Sequence, residues 1–174
     1  HHDYTYRHCM FVCSSIVHFG EAIGVKGDDL KLLSLGGMLH DIGKARIPLA
    51  ILDKPTKLDA TEQATMRNHP SHSRDIMGAL EGLDPRIVAM AVQHHEKLDG
   101  TGYPDGLKGS EIADLVRMTS IADVFSALID ARSYKPAMSY EEAFAKMDTM
   151  EGHLDMDILA RFKEFAMATR PEAA

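Results

Sequence analysis

The spacing of the apolar residues constrains this chain more than any other feature, because it is helical almost from end to end. Between His8 and Ile23 the apolar positions are mostly three or four residues apart, and Gly24 ends the pattern. No stretch shows the strict alternation of a half-buried strand. The same spacing predicts further helices over residues 30–41, 48–52, 59–69, 84–95, 110–129, 139–151 and 155–169. The sequence therefore predicts an all-α fold.

One segment interrupts the helical pattern. Three glycines and one proline occur among the eight residues from Asp99 to Gly106, a composition that is typical of turns. Pro104 restricts the preceding Tyr103 to an extended conformation. We therefore expect an ordered, turn-rich loop between two helices.

The composition favours a single domain with a small-molecule partner. The chain has 174 residues, of which 45% are hydrophobic, enough for one core, so we predict one domain spanning residues 1–174. The net charge of -7 argues against a DNA or RNA duplex as partner, because such binding depends on clustered Lys and Arg side chains. No apolar run reaches 18 residues, so we expect no membrane insertion.

Two further features indicate the setting of the domain. Cys9 and Cys13 are four residues apart in one predicted helix and would close almost no loop, which is the cysteine usage of a reducing compartment. We therefore expect a cytoplasmic protein. The chain begins with His1 and not with Met, so we expect a piece of a longer protein that lacks an N-terminal regulatory region.

Histidine and aspartate occur where the helical pattern would place core residues. The pair His40-Asp41 lies at the predicted end of a helix, and five more such side chains accompany it: His8, His69, His94, His95 and Asp123. They come from different helices or helix ends, which lets a bundle close a ligand cage in its interior. Imidazole and carboxylate ligands together suit Fe, Mn, Zn or Ni.

The number of these side chains indicates two metal ions. Seven ligands are too many for one ion with a free position, whereas two ions that share a carboxylate would use all seven and still leave room for water. Two ions about 3.5–4 Å apart can activate water for an in-line displacement at phosphorus. The alternative is a set of ordinary core histidines, but buried imidazoles and carboxylates without partners are costly.

Two motifs identify a family. The first is His-Asp-Ile-Gly-Lys at residues 40–44, and the second is His-His-Glu-Lys-Leu-Asp-Gly-Thr-Gly-Tyr-Pro at residues 94–104. With them the chain resembles an HD-GYP domain, the cyclic di-GMP phosphodiesterase branch of the HD metal-dependent phosphohydrolases. Residues 52–55, 69–70, 121–125 and 131–134 also match landmarks of that family. The resemblance covers nearly the whole chain and implies an HD-type helical bundle with a turn-rich GYP loop.

The resemblance implies roles for the candidate ligands. One divalent ion would be held by His8, His40, Asp41 and Asp123, and a second by His69, His94 and His95. Asp41 would bridge the two ions. Fe or Mn are the expected metals, with Zn and Ni as alternatives. Asp41 and Lys44 are the expected catalytic residues, with Lys44 contacting a phosphate oxygen of the scissile diester.

The resemblance also implies a substrate, cyclic di-GMP, hydrolysed to pGpG and in some members onward to GMP by a metal-bridging hydroxide. The expected substrate-binding residues are Lys44, Tyr103, Arg132 and Lys135. Each has a simpler interpretation. Lys44 would only complement a helix dipole, Tyr103 would only anchor the loop, and the other two would only form a solvated helix end.

Three positions depart from the family pattern. Tyr4 stands where some members have a Glu that binds a third metal, which is why we predict a binuclear site. Ser73 replaces a Gly that usually follows the His-Pro pair, and we expect this change to affect only packing. Ser126 replaces an Asp in the helix that carries Asp123, and we expect it to alter the hydrogen bonding around the metals.

Two alternative functions stay open at this point. The chain could hydrolyse another cyclic dinucleotide or nucleotide, or it could be a non-catalytic signalling module that works through partner contacts. A homodimer and an upstream sensor or receiver domain are the macromolecular partners that we expect.

Overall fold

The computed structural model describes residues 3–130 and 137–170, and within them the fold is all-α, as predicted. Among these residues there is no strand, and only isolated bridges pair Asp99 with Lys108 and Glu151 with Leu154. The helices, in chain order, are α1 (Asp3–Ala22), α2 (Asp28–Leu39), α3 (Leu49–Leu52), α4 (Ala60–Met66), α5 (His69–Gly78), α6 (Pro85–Gln93), α7 (Asp114–Ile129), α8 (Tyr140–Met147) and α9 (Met156–Thr169). Two 3₁₀ segments, Ile42–Arg46 and Gly109–Glu111, lie between them.

Local sequence signals account for several of the helix starts. Asp59 caps α4 in a capping box, in which its side chain accepts from the Glu62 N–H and the Glu62 side chain accepts from the Asp59 N–H. Asp84 caps α6 ahead of Pro85. A proline also lies in the first turn of α5, so the chain starts a new helix at the His-Pro pair instead of kinking an existing one.

The start of α7 differs from the prediction. The pattern predicted a helix from residue 110, but α7 begins at Asp114. The guanidinium of Arg117 explains the difference, because it donates to the carbonyl oxygens of Gly109 at 2.8 Å and Ile112 at 2.7 Å. These bonds satisfy acceptors that a longer helix would have used and so stabilise the 3₁₀ turn. At the other end of the fold, α8 stops at Met147 and not near residue 151 as predicted.

The main core lies where α7 packs against α1, α8 and α9. Aromatic rings form its centre, with Phe125 stacked on Phe144 at a centroid distance of 4.7 Å and Phe19 edge-on to Phe162 at 5.3 Å. All four side chains are fully buried. No helix within the described ranges is both long and apolar enough to cross a membrane.

Two glycines bring α2 close to its neighbours. A Cβ at Gly36 would lie 2.2 Å from Sδ of Met90 in α6, and one at Gly37 would lie 2.8 Å from Cα of Cys13 in α1. Glycine inside a helix costs about 1 kcal/mol relative to Ala, and the close approach is the reason for tolerating it. As a result, the end of α2 is fixed against both α1 and α6. A candidate ligand lies within α1, and another directly follows each of α2 and α6.

Candidate metal centre

Six of the seven predicted ligands are buried and converge in the interior of the bundle. Histidines come from α1, from the end of α2, from the start of α5 and from the end of α6, and an aspartate comes from the middle of α7. The buried members are His8, His40, Asp41, His69, His94 and Asp123. The seventh, His95, has a side chain that is 27% exposed. The structure therefore brings together all seven side chains that the sequence singled out.

The side chains form two groups, and the first surrounds one oxygen of Asp41. Nε2 of His8 lies 3.3 Å from Nε2 of His40 and 2.9 Å from Oδ1 of Asp123. Oδ2 of Asp41 lies 3.3 Å from Nε2 of His40 and 3.7 Å from that of His8. These atoms are close enough to share one cation.

The second group faces the other oxygen of Asp41. Oδ1 lies 3.3 Å from Nε2 of His69 and 3.8 Å from Nε2 of His94. The ligand atoms that His69, His94 and His95 offer all lie within 4.8 Å of one another. Asp41 thus directs one carboxylate oxygen to each group.

Three of the histidines are oriented by the same local contact. The Nδ1 atoms of His40, His69 and His94 lie 2.8, 2.9 and 3.1 Å from the carbonyl oxygen three residues earlier in the chain. A carbonyl oxygen can only accept, so each Nδ1 carries the proton and donates it. In a neutral ring Nε2 then has a free lone pair, and this is the atom that points into the centre. Fixing the tautomer and the ring plane in this way is typical of metal-binding histidines.

This orientation makes the second group unfavourable without a cation. Nε2 of His69 and Nε2 of His94 lie 3.4 Å apart, and with both Nδ1 atoms protonated, two lone pairs of neutral rings face each other. Burial lowers the pKa of His69 to about 4 and holds the pKa of His94 well below its usual range, so both rings stay neutral near pH 7. A divalent cation between them would turn this repulsion into two coordinate bonds.

An unsatisfied oxygen supports the same conclusion. Within the part of the chain that the structure describes, Oδ1 of Asp41 is buried and has no hydrogen-bond partner, which is costly for a carboxylate. Burial raises the pKa of Asp41, but neighbouring groups, the Lys44 ammonium foremost, outweigh this effect and hold the pKa well below its usual range. The carboxylate is therefore charged, and its free oxygen fits a metal ligand.

The remaining predicted site residues fall into two classes. Nζ of Lys44 lies 2.5 Å from Oδ2 of Asp41, so it reaches the centre. The ring of Tyr103 stacks on that of His95, with centroids 4.9 Å apart, and forms part of the wall. Arg132 and Lys135 lie outside the described residues.

The sequence did not predict the role of Glu96, which anchors the GYP loop. Glu96 is buried, and its carboxylate accepts from the N–H groups of Asp105 at 2.6 Å, Gly106 at 3.1 Å and Leu107 at 3.0 Å. These bonds close the loop onto the end of α6. The available signal was an acidic residue directly after the histidine doublet and before a glycine-rich loop, since exposed N–H groups in such a loop need an acceptor.

Both serines that depart from the family pattern form hydrogen bonds, Ser126 with a candidate ligand and Ser73 with the turn after Asp41. Ser126 Oγ lies 2.9 Å from Nδ1 of His8, in line with the expected change in hydrogen bonding around the ligands. Ser73 was expected to affect only packing, and this expectation was wrong. Its Oγ accepts from the N–H of Gly43 at 3.0 Å, because the 3₁₀ turn after Asp41 leaves that group without a helical acceptor.

Comparison with known proteins agrees with this geometry. The family model of the HD domain matches residues 14–158. A cyclic di-GMP phosphodiesterase of Pseudomonas aeruginosa is 34% identical over 92% of this chain and 39% of its own length. A 3'3'-cGAMP-specific phosphodiesterase of Vibrio cholerae is 37% identical over 90% of this chain and 36% of its own length. The chain thus spans well under half the length of these curated relatives.

A solved structure supports the fold. Bd1817, a HDG"Y"P protein from Bdellovibrio bacteriovorus, superposes with a TM-score of 0.78 and 22% identity, over 93% of this chain and 52% of that one. Its helical architecture is therefore shared, in agreement with the sequence motifs at residues 40–44 and 94–104. The chain belongs to the HD domain family, and its resemblance to the HD-GYP branch is confirmed.

Proposed function

We propose that this chain is a metal-dependent phosphodiesterase that hydrolyses cyclic di-GMP to pGpG, with GMP as a further product. The observation that carries the proposal is the position of Asp41, whose two buried oxygens face two separate groups of ligand atoms. A carboxylate in this position fits a bridge between two divalent ions. Such ions, when bound, act as Lewis acids on a phosphate oxygen and lower the pKa of water towards neutrality.

The proposed ligand sets follow the two groups. His8, His40, Asp41 and Asp123 would hold one ion, and His69, His94 and His95 would hold the other together with Asp41. The mixture of imidazole and carboxylate fits Fe or Mn, and also admits Zn or Ni. The side chain of Asp123 lies 4.0 Å from Nδ1 of His95, so the two sets are in contact on this side as well.

The protein's own groups would prepare the reaction in three ways. Hydrogen bonds to main-chain carbonyls fix the histidine rings, so these rings need not reorient when metal ions bind. Burial lowers the pKa of Lys44, but neighbouring groups, the Asp41 carboxylate foremost, outweigh this effect, so the pKa is raised overall. The ammonium therefore stays charged and can offset negative charge on the phosphate. The Tyr103 ring, which stacks on His95, would keep water from that face of the imidazole.

The choice of cyclic di-GMP as substrate is supported by the names of several relatives, including the protein from Pseudomonas aeruginosa. A second candidate is 3'3'-cGAMP, because relatives at 36–37% identity are named as specific for it. Both substrates present the same type of phosphodiester, so the same centre would serve either one.

The setting that we propose is the cytoplasm, in a longer protein with an upstream sensor or receiver domain. Cys9 and Cys13 are both free thiols, which suits a reducing compartment.

A nucleotide panel tests the function directly. The purified chain would be stripped of metal, reloaded separately with Fe, Mn, Zn or Ni, and assayed against cyclic di-GMP, 3'3'-cGAMP and cyclic di-AMP by chromatography of the products. We expect metal-dependent conversion of cyclic di-GMP to pGpG. Preferential cleavage of 3'3'-cGAMP would support the second candidate, and equal activity of stripped and reloaded protein would contradict the metal mechanism.

Lys44 gives a separate prediction. Lys44→Met removes an ammonium group from the centre but no candidate ligand, so we expect kcat for cyclic di-GMP to fall by about 100-fold with the bound metal retained. Metal content, measured by elemental analysis, and kcat are determined on the same preparation. Arg46→Met is the matched control, because Arg46 lies in the same turn but pairs with the exposed Asp75. Unchanged kcat in Lys44→Met would leave Lys44 with only the role of neutralising Asp41.

A further inference from the structure

An arginine at the edge of the centre has no role in the function described so far. Arg67 directly follows α4, and its Cζ lies 4.4 Å from the centroid of the Tyr103 ring, a cation–π distance. Tyr103 in turn stacks on His95. The guanidinium is therefore held only two ring contacts away from the candidate metal centre.

The backbone of Arg67 is tied to the same centre. Its N–H donates to the carbonyl of Gln63 in the last turn of α4, and the preceding residue, Met66, supplies the carbonyl that orients His69. Arg67 thus lies in the short connection between α4 and α5, two residues before the candidate ligand His69.

Within the described part of the chain, the charge of Arg67 is not matched by a carboxylate. Its side chain is exposed, and among residues 3–130 and 137–170 no Asp or Glu forms an ion pair with it, whereas Arg46, Arg74 and Arg86 each have such a partner. Stacking uses the flat face of a guanidinium and leaves the N–H donors at its edge free. In a chain with a net charge of -7, such a guanidinium can attract an anion locally.

The chemistry of the proposed substrate supplies that anion. A cyclic dinucleotide carries two phosphodiesters in one small ring, and the proposed function assigns the scissile one to the metal ligands and Lys44. The second phosphate is then carried beyond the ligand atoms, where a cation would bind it. Arg132 and Lys135, which the family resemblance implies for substrate binding, lie outside the described residues, and Arg67 is a further cation at this edge of the centre. We propose that Arg67 binds this second, non-scissile phosphate and so favours cyclic dinucleotides over simple diesters, an inference that rests on the proposed phosphodiesterase function.

Two substrates separate this role from support of the metal centre. Metal-loaded Arg67→Met is compared with the parent chain on cyclic di-GMP and on bis(p-nitrophenyl) phosphate, a diester without a second phosphate. We expect KM for cyclic di-GMP to rise by about 10- to 100-fold, the effect of one charged hydrogen bond. We expect kcat for cyclic di-GMP and both parameters for the simple diester to stay unchanged. Arg67→Lys, which keeps the charge but loses the planar fork, should give an intermediate KM.

Each other outcome overturns the inference in a recognisable way. A parent-like KM in Arg67→Met, with the parent active on cyclic di-GMP, overturns it and leaves the proposed function intact. Equal loss on both substrates would mean that Arg67 only supports the wall formed by Tyr103. A parent chain that cleaves the simple diester but neither binds nor cleaves cyclic di-GMP would refute the proposed function, and this inference with it. Arg86→Met is the control, since Arg86 is similarly exposed but paired with Asp29 and Asp84.

Discussion

Asp41→Asn is expected to lose most of its bound metal and to hydrolyse cyclic di-GMP more than about 100-fold more slowly than the parent chain. Substitution of a residue that only hydrogen-bonds to a metal ligand already lowers metal affinity or activity by about 10- to 100-fold. Asp41 is a candidate ligand itself, and its two oxygens face both ligand groups. An amide offers one neutral oxygen in place of two charged ones. Elemental analysis and steady-state kinetics on the same preparation measure both effects.

The control for this variant is the same chemical change at an exposed position. Asp28→Asn alters a carboxylate whose side chain is 86% exposed and pairs with Lys31, so metal content and activity should match those of the parent. Metal content and turnover that survive in Asp41→Asn would contradict the bridging role and the whole metal mechanism.

Gly43→Ala is expected to destabilise the fold strongly, although it adds only one methyl group. The new Cβ would lie 1.9 Å from the carbonyl oxygen of His69 and 2.6 Å from the main-chain nitrogen of Ser73. Both are backbone atoms, so the start of α5 would have to move away from the 3₁₀ turn. Overpacking of this kind costs about 3 kcal/mol, which corresponds to a fall in Tm of about 6–12 °C for a chain of this size. Thermal unfolding followed by circular dichroism measures it.

A second glycine in the same region provides the control. Gly78 is the last residue of α5, and a Cβ there would meet nothing within 4 Å. Gly78→Ala should therefore be neutral or stabilise the protein by about 0.4–1 kcal/mol, because alanine lowers the conformational entropy of the unfolded chain. If Gly43→Ala unfolds at the same temperature as Gly78→Ala, the close contact between the two segments is not present in solution.

The ligands could be predicted from the sequence because polar side chains replaced apolar ones at core positions. His8 and Asp123 lie 115 residues apart in the sequence. Each occurs in a helix whose buried face could be predicted from the three- and four-residue spacing of its apolar positions. Their side chains were therefore expected to meet in the interior. The partition of the seven ligands into two groups was taken from the family resemblance, and the geometry around Asp41 is compatible with it.

The parts that were not predicted depend on tertiary hydrogen bonds. The late start of α7 results from Arg117, which binds carbonyls of the preceding turn, and no local propensity reveals such a bond. Ser73 was assigned to packing because its partner, the N–H of Gly43, lies 30 residues away. Arg67 shows the same limit, since its contact with Tyr103 joins two segments that only the folded chain brings together.

The three main-chain hydrogen bonds that the Glu96 carboxylate accepts have a consequence for ligand affinity. A glycine-rich segment that became ordered only around its ligand would lose conformational entropy at that moment, and the affinity would be lower by that amount. Here the buried carboxylate accepts hydrogen bonds from three N–H groups of the loop, so the loop is already ordered when the chain folds. The loop is thus preorganised, and if the proposed nucleotide binds against it, no free energy of binding is spent on ordering it.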